Sequence, residues 1–221
     1  MPKWFPKPKW WLVFAGLLCV GVGIWTTVGR KAQFVLGGAL INAGYSLQDR
    51  LGMYDFEHEH ASPAQVWAEL LSQNGMASAV RAKFPRSARH PLVALVTCMD
   101  ARLDSNEIAG DTRRYYYVLR LAGSVLSLKE EEMLELAVNN GVEVVVFTTH
   151  TDCAAEKVRG NVELKKAYPN LMAALEEREM RFNEFLNRET IRKKTSEGKL
   201  LVKWMDIDTS DEHVTPHLTS H

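Results

Sequence analysis

What this chain lacks narrows it before any motif is read. Lysine plus arginine and aspartate plus glutamate are equal at 27 each, so the formal net charge is zero. No global basic field is left to hold nucleic acid, and that class of partner is excluded. Cysteine is scarce, with three in 221 residues, too few for a disulfide framework. Charge is missing altogether between Trp10 and Gly29. The remaining composition, 46% hydrophobic, suffices for one full core plus an appendage.

The uncharged run from Trp10 to Gly29 has about the length that crosses a hydrocarbon layer. Lys3, Lys7 and Lys9 precede it, and Arg30 and Lys31 come directly after. Trp10, Trp11 and Trp25 sit near its ends, where amphipathic rings favour headgroups. The run is longer than a signal-peptide core and has no Ala-x-Ala site. The expectation is a single-pass N-terminal membrane anchor that meets membrane lipid through residues 10–29. The slight excess of lysine in the leader places the folded domain on the outer, periplasmic side. Residues 1–31 are then leader and transmembrane helix, 32–60 an apolar and linker segment, and 61–221 the folded domain. Within the linker, Phe34 to Leu47 is too short to span and reads as a helix packing on the anchor. Glu57-His58-Glu59-His60 reads as a solvated connector rather than a metal site.

Ser62, Pro63 and Gln65 make a capping-box-like helix start, leading into the apolar face of Val66, Trp67, Leu70 and Leu71. From His90 onward, apolar β-branched runs alternate with amphipathic stretches. Leu92 to Thr97, Tyr115 to Leu121, Val142 to Thr149 and Leu200 to Ile207 read as strands. Glu130 to Asn140 reads as a helix with Met133, Leu134, Ala137 and Val138 inward; Leu171 to Ile191 reads as a longer one with Leu171, Leu175, Phe182 and Leu186 inward. This is the rhythm of an α/β fold, a mostly parallel β-sheet flanked by helices. The tail from Asp208 to His221 reads as flexible: Pro216 separates its histidines His213 and His217.

Two strands end on chemistry. Leu92 to Thr97 delivers Cys98-Met99-Asp100-Ala101-Arg102, and Val142 to Thr149 delivers His150-Thr151-Asp152-Cys153. Ligand sites in open α/β sheets gather at the carboxyl ends of strands, so two thiols and an imidazole converge. Cys98, His150 and Cys153 are the ligand set of a zinc site with one position open, as a catalytic zinc needs. Asp100, two residues from a ligand, can reach the metal or a water on it, and Arg102 is near enough to hold the carboxylate. The other Cys/His zinc chemistry, nucleobase deamination, is disfavoured because its Pro-Cys-x-x-Cys and His-x-Glu elements are absent.

These two blocks, with Arg120-Leu121-Ala122-Gly123 between them, resemble the three signature blocks of the β-class carbonic anhydrases in order and approximate spacing. The likeness runs from about Pro91 to Pro216. It implies that Cys98, His150 and Cys153 bind Zn2+, and that Asp100 with Arg102 either orients the attacking water or lets Asp100 occupy the fourth position. It implies reversible hydration of carbon dioxide to bicarbonate by a zinc-binding catalytic domain at 61–221, in a homodimer or higher homo-oligomer. Two departures stand out: Leu121 where the family usually has Asn, and Ala154 where a Gly usually comes after the second cysteine. Leu121 and Val125 are expected to line an apolar recess for the substrate. The alternatives are hydrolysis of carbonyl sulfide or carbon disulfide at the same site, and a non-catalytic zinc-binding membrane subunit.

Overall fold

A computed structural model describes residues 10–49, 61–84, 90–109 and 116–217. The chain forms two compact units, Met1–Lys83 and Phe84–His221. Among the described residues the first holds two helices, α1 (Trp10–Asp49) and α2 (Pro63–Lys83). Among the described residues no helix is long and apolar enough to cross a membrane. The expected single-pass anchor at Trp10–Gly29, and the membrane localisation that rested on it, are corrected accordingly. The uncharged run is not a helix of its own: the same helix continues through Arg30, Lys31 and Gln33 to Gln48 and Asp49, absorbing the segment expected to pack on it. Phe34, Val35 and Leu40 along that continuation are exposed. At the start of α2 the capping box is present, with the Ser62 backbone N–H donating to Gln65 Oε1 at 2.8 Å and Gln65 N–H to Ser62 Oγ at 3.3 Å. Glu57-His58-Glu59-His60 lies outside the described residues.

The second unit is built on a five-stranded sheet. Its strands are β1 (Val93–Cys98), β2 (Tyr116–Leu121), β3 (Val144–His150), β4 (Leu201–Ile207) and β5 (Val214–Pro216). Between them run α3 (Ser105–Ala109), α4 (Leu128–Asn139), α5 (Ala154–Gly160), α6 (Val162–Ala167), α7 (Pro169–Asn187) and α8 (Glu189–Ser196). The order is β2-β1-β3-β4-β5, parallel except for β5. Leu95, Val96 and Thr97 are buried in succession, as a central parallel strand with both faces covered requires. Phe147 on β3 anchors the core, with ring centroids 4.9 Å from Phe182, 5.7 Å from Phe185 and 5.5 Å from Trp204.

Three expectations are revised. The long helix breaks at Arg188, which has φ −57° and ψ 136°. There its guanidinium reaches Glu135 at 2.6 Å and Glu131 at 3.6 Å on α4, and Ile191 on α8 is buried. Met133 is 54% exposed while Glu131 on α4 is buried. The tail is ordered through His217, because Val214–Pro216 pairs antiparallel with β4 and the His217 ring meets Asp206. Tyr115 and the last four residues lie outside the described residues.

Candidate metal centre and active site

The sheet order decides where side chains can meet. From β1 the chain goes to β2 on one side, then crosses back to β3 on the other, so β1 and β3 flank a point where the order reverses. A crevice opens at the carboxyl ends of strands there. Cys98 is the last residue of β1 and His150 the last of β3. Cys153 comes one turn later, where it precedes α5. Their three ligand atoms lie within 4.8 Å of one another.

The two sulfurs are 3.9 Å apart and both cysteines are buried. Sulfurs each about 2.3 Å from a tetrahedral zinc would sit about 3.8 Å from one another, so the pair has the spacing of a shared ligand set. His150 Nδ1 lies 2.9 Å from the Thr151 carbonyl, to which it can donate, which leaves Nε2 as an acceptor. That Nε2 is buried with no partner among the described residues. A buried polar atom without a partner is costly, and a metal would satisfy it. The pair of thiols shares a proton: the hydrogen bond from Cys153 holds the Cys98 thiol down at about 4, and the same bond with burial pushes Cys153 up.

Asp100 and Arg102 form a clamp. Arg102 Nε donates to Asp100 Oδ1 at 3.0 Å and Nη2 to Oδ2 at 2.8 Å, while the Arg102 backbone N–H also meets Oδ1 at 3.0 Å. These contacts hold the Asp100 carboxyl well below the usual carboxylate range. Beside it lies a recess of about 320 Å3 lined by Cys98, Met99, Asp100, Ala122, Ala154, Ala155, Val158, Tyr168 and Leu171. Leu121 and Val125 do not line it; Leu121 packs against the main core instead. Alternation explains this, since Leu121 and Ala122 leave the end of β2 toward different sides.

The structure brings Cys98, His150 and Cys153 together and sets Arg102 on Asp100; sequence reasoning missed the residues that support them. Arg120 donates from Nη2 to the Asp100 carbonyl at 2.5 Å and to the Leu103 carbonyl at 2.8 Å, fixing the loop that carries the clamp. Gly123, at φ +60°, lets this turn pass under α7: an added Cβ would come within 2.5 Å of Leu175 Cδ2. Tyr168 and Leu171 come from the α6–α7 junction, and no local signal tied them to the strand ends. Asp152 was legible within the third block but had no assigned use.

This α/β domain gathers two cysteines and an imidazole at a strand-order reversal, beside a clamped carboxylate, in a cluster that could hold a metal ion. This chain belongs to the carbonic anhydrase family, whose model matches residues 93–215, more than half of the chain. It is similar to a tetrameric β-carbonic anhydrase of the filamentous ascomycete Sordaria macrospora, with 19% identity and a TM-score of 0.51 over 68% of this chain and 95% of that one. It is also similar to the β-carbonic anhydrase CafA of Aspergillus fumigatus, with 16% identity and a TM-score of 0.54 over 71% of this chain and 92% of that one. At such identities the likeness speaks for the fold, a mostly parallel sheet of the β-carbonic anhydrase type. No curated protein matches the chain.

Proposed function

We propose that the chain catalyses zinc-dependent, reversible hydration of carbon dioxide to bicarbonate and a proton. Cys98, His150 and Cys153 would hold the metal and Asp100 with Arg102 would serve the reaction. The observation that carries this is the convergence of the unpartnered His150 Nε2 with two sulfurs, next to the clamped Asp100. Zinc, when bound, supplies the Lewis acidity that makes water nucleophilic near neutral pH.

The chain's own residues do the rest. Asp100 stays ionised across the working range, so it accepts a hydrogen bond from the attacking water and aims a lone pair at carbon. Arg102 fixes that carboxylate and keeps it from turning onto the metal. The recess beside Cys98, walled by Ala122, Ala154, Val158 and Leu171, suits an apolar linear molecule. The domain that carries this chemistry would be the one expected over 61–221, and the compact unit Phe84–His221 within it holds all five residues. The working form is a homo-oligomer, a dimer or larger: β2 lies at the edge of the sheet, and Val118 on β2 and Met133 and Leu136 on α4 are exposed.

A second reading is hydrolysis of carbonyl sulfide or carbon disulfide, linear apolar molecules that the same apolar-walled recess would also admit. Purified protein of measured zinc content, assayed for hydration and for carbonyl sulfide turnover across pH, decides between them. Full zinc without hydration would defeat the first reading.

A further inference from the structure

Asp152 sits between two of the three residues of the metal cluster, yet its side chain belongs to the clamp. Arg102 Nη1 donates to Asp152 Oδ2 at 3.1 Å, and Arg102 Nη2 donates to the Asp152 carbonyl at 3.0 Å. On its far side the same carboxylate meets Lys157 Nζ, one turn into α5, at 2.6 Å. The backbone of Asp152 is left-handed, with φ +56°, a conformation that Asp and Asn tolerate better than most residues. That turn delivers both its carboxylate and its carbonyl to one guanidinium. Arg102 is thus held on both edges, by Asp100 on one and by the cluster's own loop on the other.

We propose that Asp152 is a positioning residue. It fixes Arg102 so that Arg102 can hold Asp100 away from the open metal position, and thereby couples the loop carrying His150 and Cys153 to the one carrying Asp100. This role rests on the functions proposed for Asp100 and Arg102. It concerns geometry rather than stability. The Arg102 and Asp152 side chains are 46% and 55% exposed, and ion pairs so exposed contribute little to folding. Without Asp152 the guanidinium keeps, among the described residues, only one charged anchor, and the Arg102–Asp100 unit is free to swing as a body.

The test loads the full chain with cobalt(II) and titrates it with azide, an anion that competes for the open position, tracking visible absorption and, on zinc protein, kcat and KM. Asp152→Gly keeps the left-handed backbone unstrained and removes only the side chain; Asp152→Ala stands in if the glycine variant loses metal. The expected result is azide affinity at least about tenfold weaker than wild type in both, as in Arg102→Ala, with kcat reduced more than KM is changed. Asp152→Asn, which keeps an acceptor oxygen and tolerates the same backbone, should retain most of the affinity. Adding Asp100→Ala to Asp152→Gly should restore azide binding, a rescue that a merely structural role would not produce. Wild-type azide affinity in Asp152→Gly, alongside weakened binding in Arg102→Ala, would overturn the role of Asp152 and leave the clamp intact. Wild-type affinity in Arg102→Ala, or no azide response in the wild type, would overturn the clamp reading and this inference with it.

Discussion

Arg102 and Asp100, two residues apart, meet through parallel N–H···O contacts of 3.0 and 2.8 Å, a planar fork on a planar carboxylate. Such bidentate pairing fixes orientation as well as charge, which a lysine at the same place would not.

The clamp predicts a separation of metal binding from activity. Arg102→Ala should retain zinc, since it removes no ligand, while hydration falls by roughly the 10²–10⁴ typical of positioned acid-base groups. Elemental analysis and stopped-flow hydration on one preparation check this. Near-wild-type turnover with intact zinc would remove Arg102 from the mechanism.

Zinc uptake should release about one proton at pH 7. With Cys98 held down at about 4 and Cys153 pushed up, the metal-free pair carries one thiolate and one thiol at that pH. Two thiolates are needed to bind zinc, so only Cys153 must deprotonate, and apparent affinity should rise with pH. Calorimetric zinc titrations in buffers of different ionisation enthalpy count the protons. Release of two, or of none, contradicts the shared-proton pair.

Removing the metal should weaken the fold. A ligand bound only by the native state adds about 4 kcal/mol at a thousand times its dissociation constant. Chelator treatment should therefore lower the thermal midpoint by several degrees, and Cys98→Ala should show the same midpoint with or without added zinc. Equal stability of wild-type apo and zinc protein would place the ion elsewhere.

Glu131 offers a test far from the chemistry. Burial raises its carboxyl above the ordinary 4.5, and its Oε1 has no partner among the described residues. A folded-state value raised in this way penalises the charged form: the penalty is absent below the ordinary value and appears as pH rises through the raised one. Glu131→Gln should be more stable than wild type at pH 7 by about 1 kcal/mol, and the gain should vanish toward pH 4. Urea titrations at both pH values read it directly; a loss at pH 7 would show that the 3.6 Å contact with Arg188 outweighs desolvation.

Gly123→Ala should cost about 1–3 kcal/mol. The new Cβ would need both a left-handed backbone at φ +60° and space that Leu175 Cδ2 occupies at 2.5 Å. The zinc site should load poorly, because the turn beneath Cys98 would shift. Unchanged thermal stability would mean that Leu175 moves aside freely.

Much of this was readable in the one-dimensional pattern. β-branched apolar runs mark buried parallel strands whatever their surroundings, so β1, β3 and β4 were placed to within two residues at each end. Cys98, His150, Cys153, Asp100 and Arg102 could be singled out because each lies at or just beyond a strand end, the edge of an open α/β sheet where side chains from separate strands can meet. Local pattern failed where distant residues compete. Arg188 leaves the helix because α4 presents Glu131 and Glu135 to it, and no window around residue 188 contains that information. The His217 pairing with Asp206 overrode the flexibility expected of a polar tail. The uncharged run at Trp10–Gly29 was legible as a helix but not as the first half of a 40-residue one.

Sequence by itself determined the residue types of the cluster and their delivery at strand ends, because side-chain chemistry and strand propensity are local. Tertiary structure alone decided that Ala122 rather than Leu121 borders the recess, that Tyr168 and Leu171 complete it, and that Asp152 grips Arg102 across 50 residues of chain. Those outcomes depend on strand order and on the crossing of α7 over the β2 turn. They are set by which distant surfaces pack together, a quantity that no short stretch of the chain encodes.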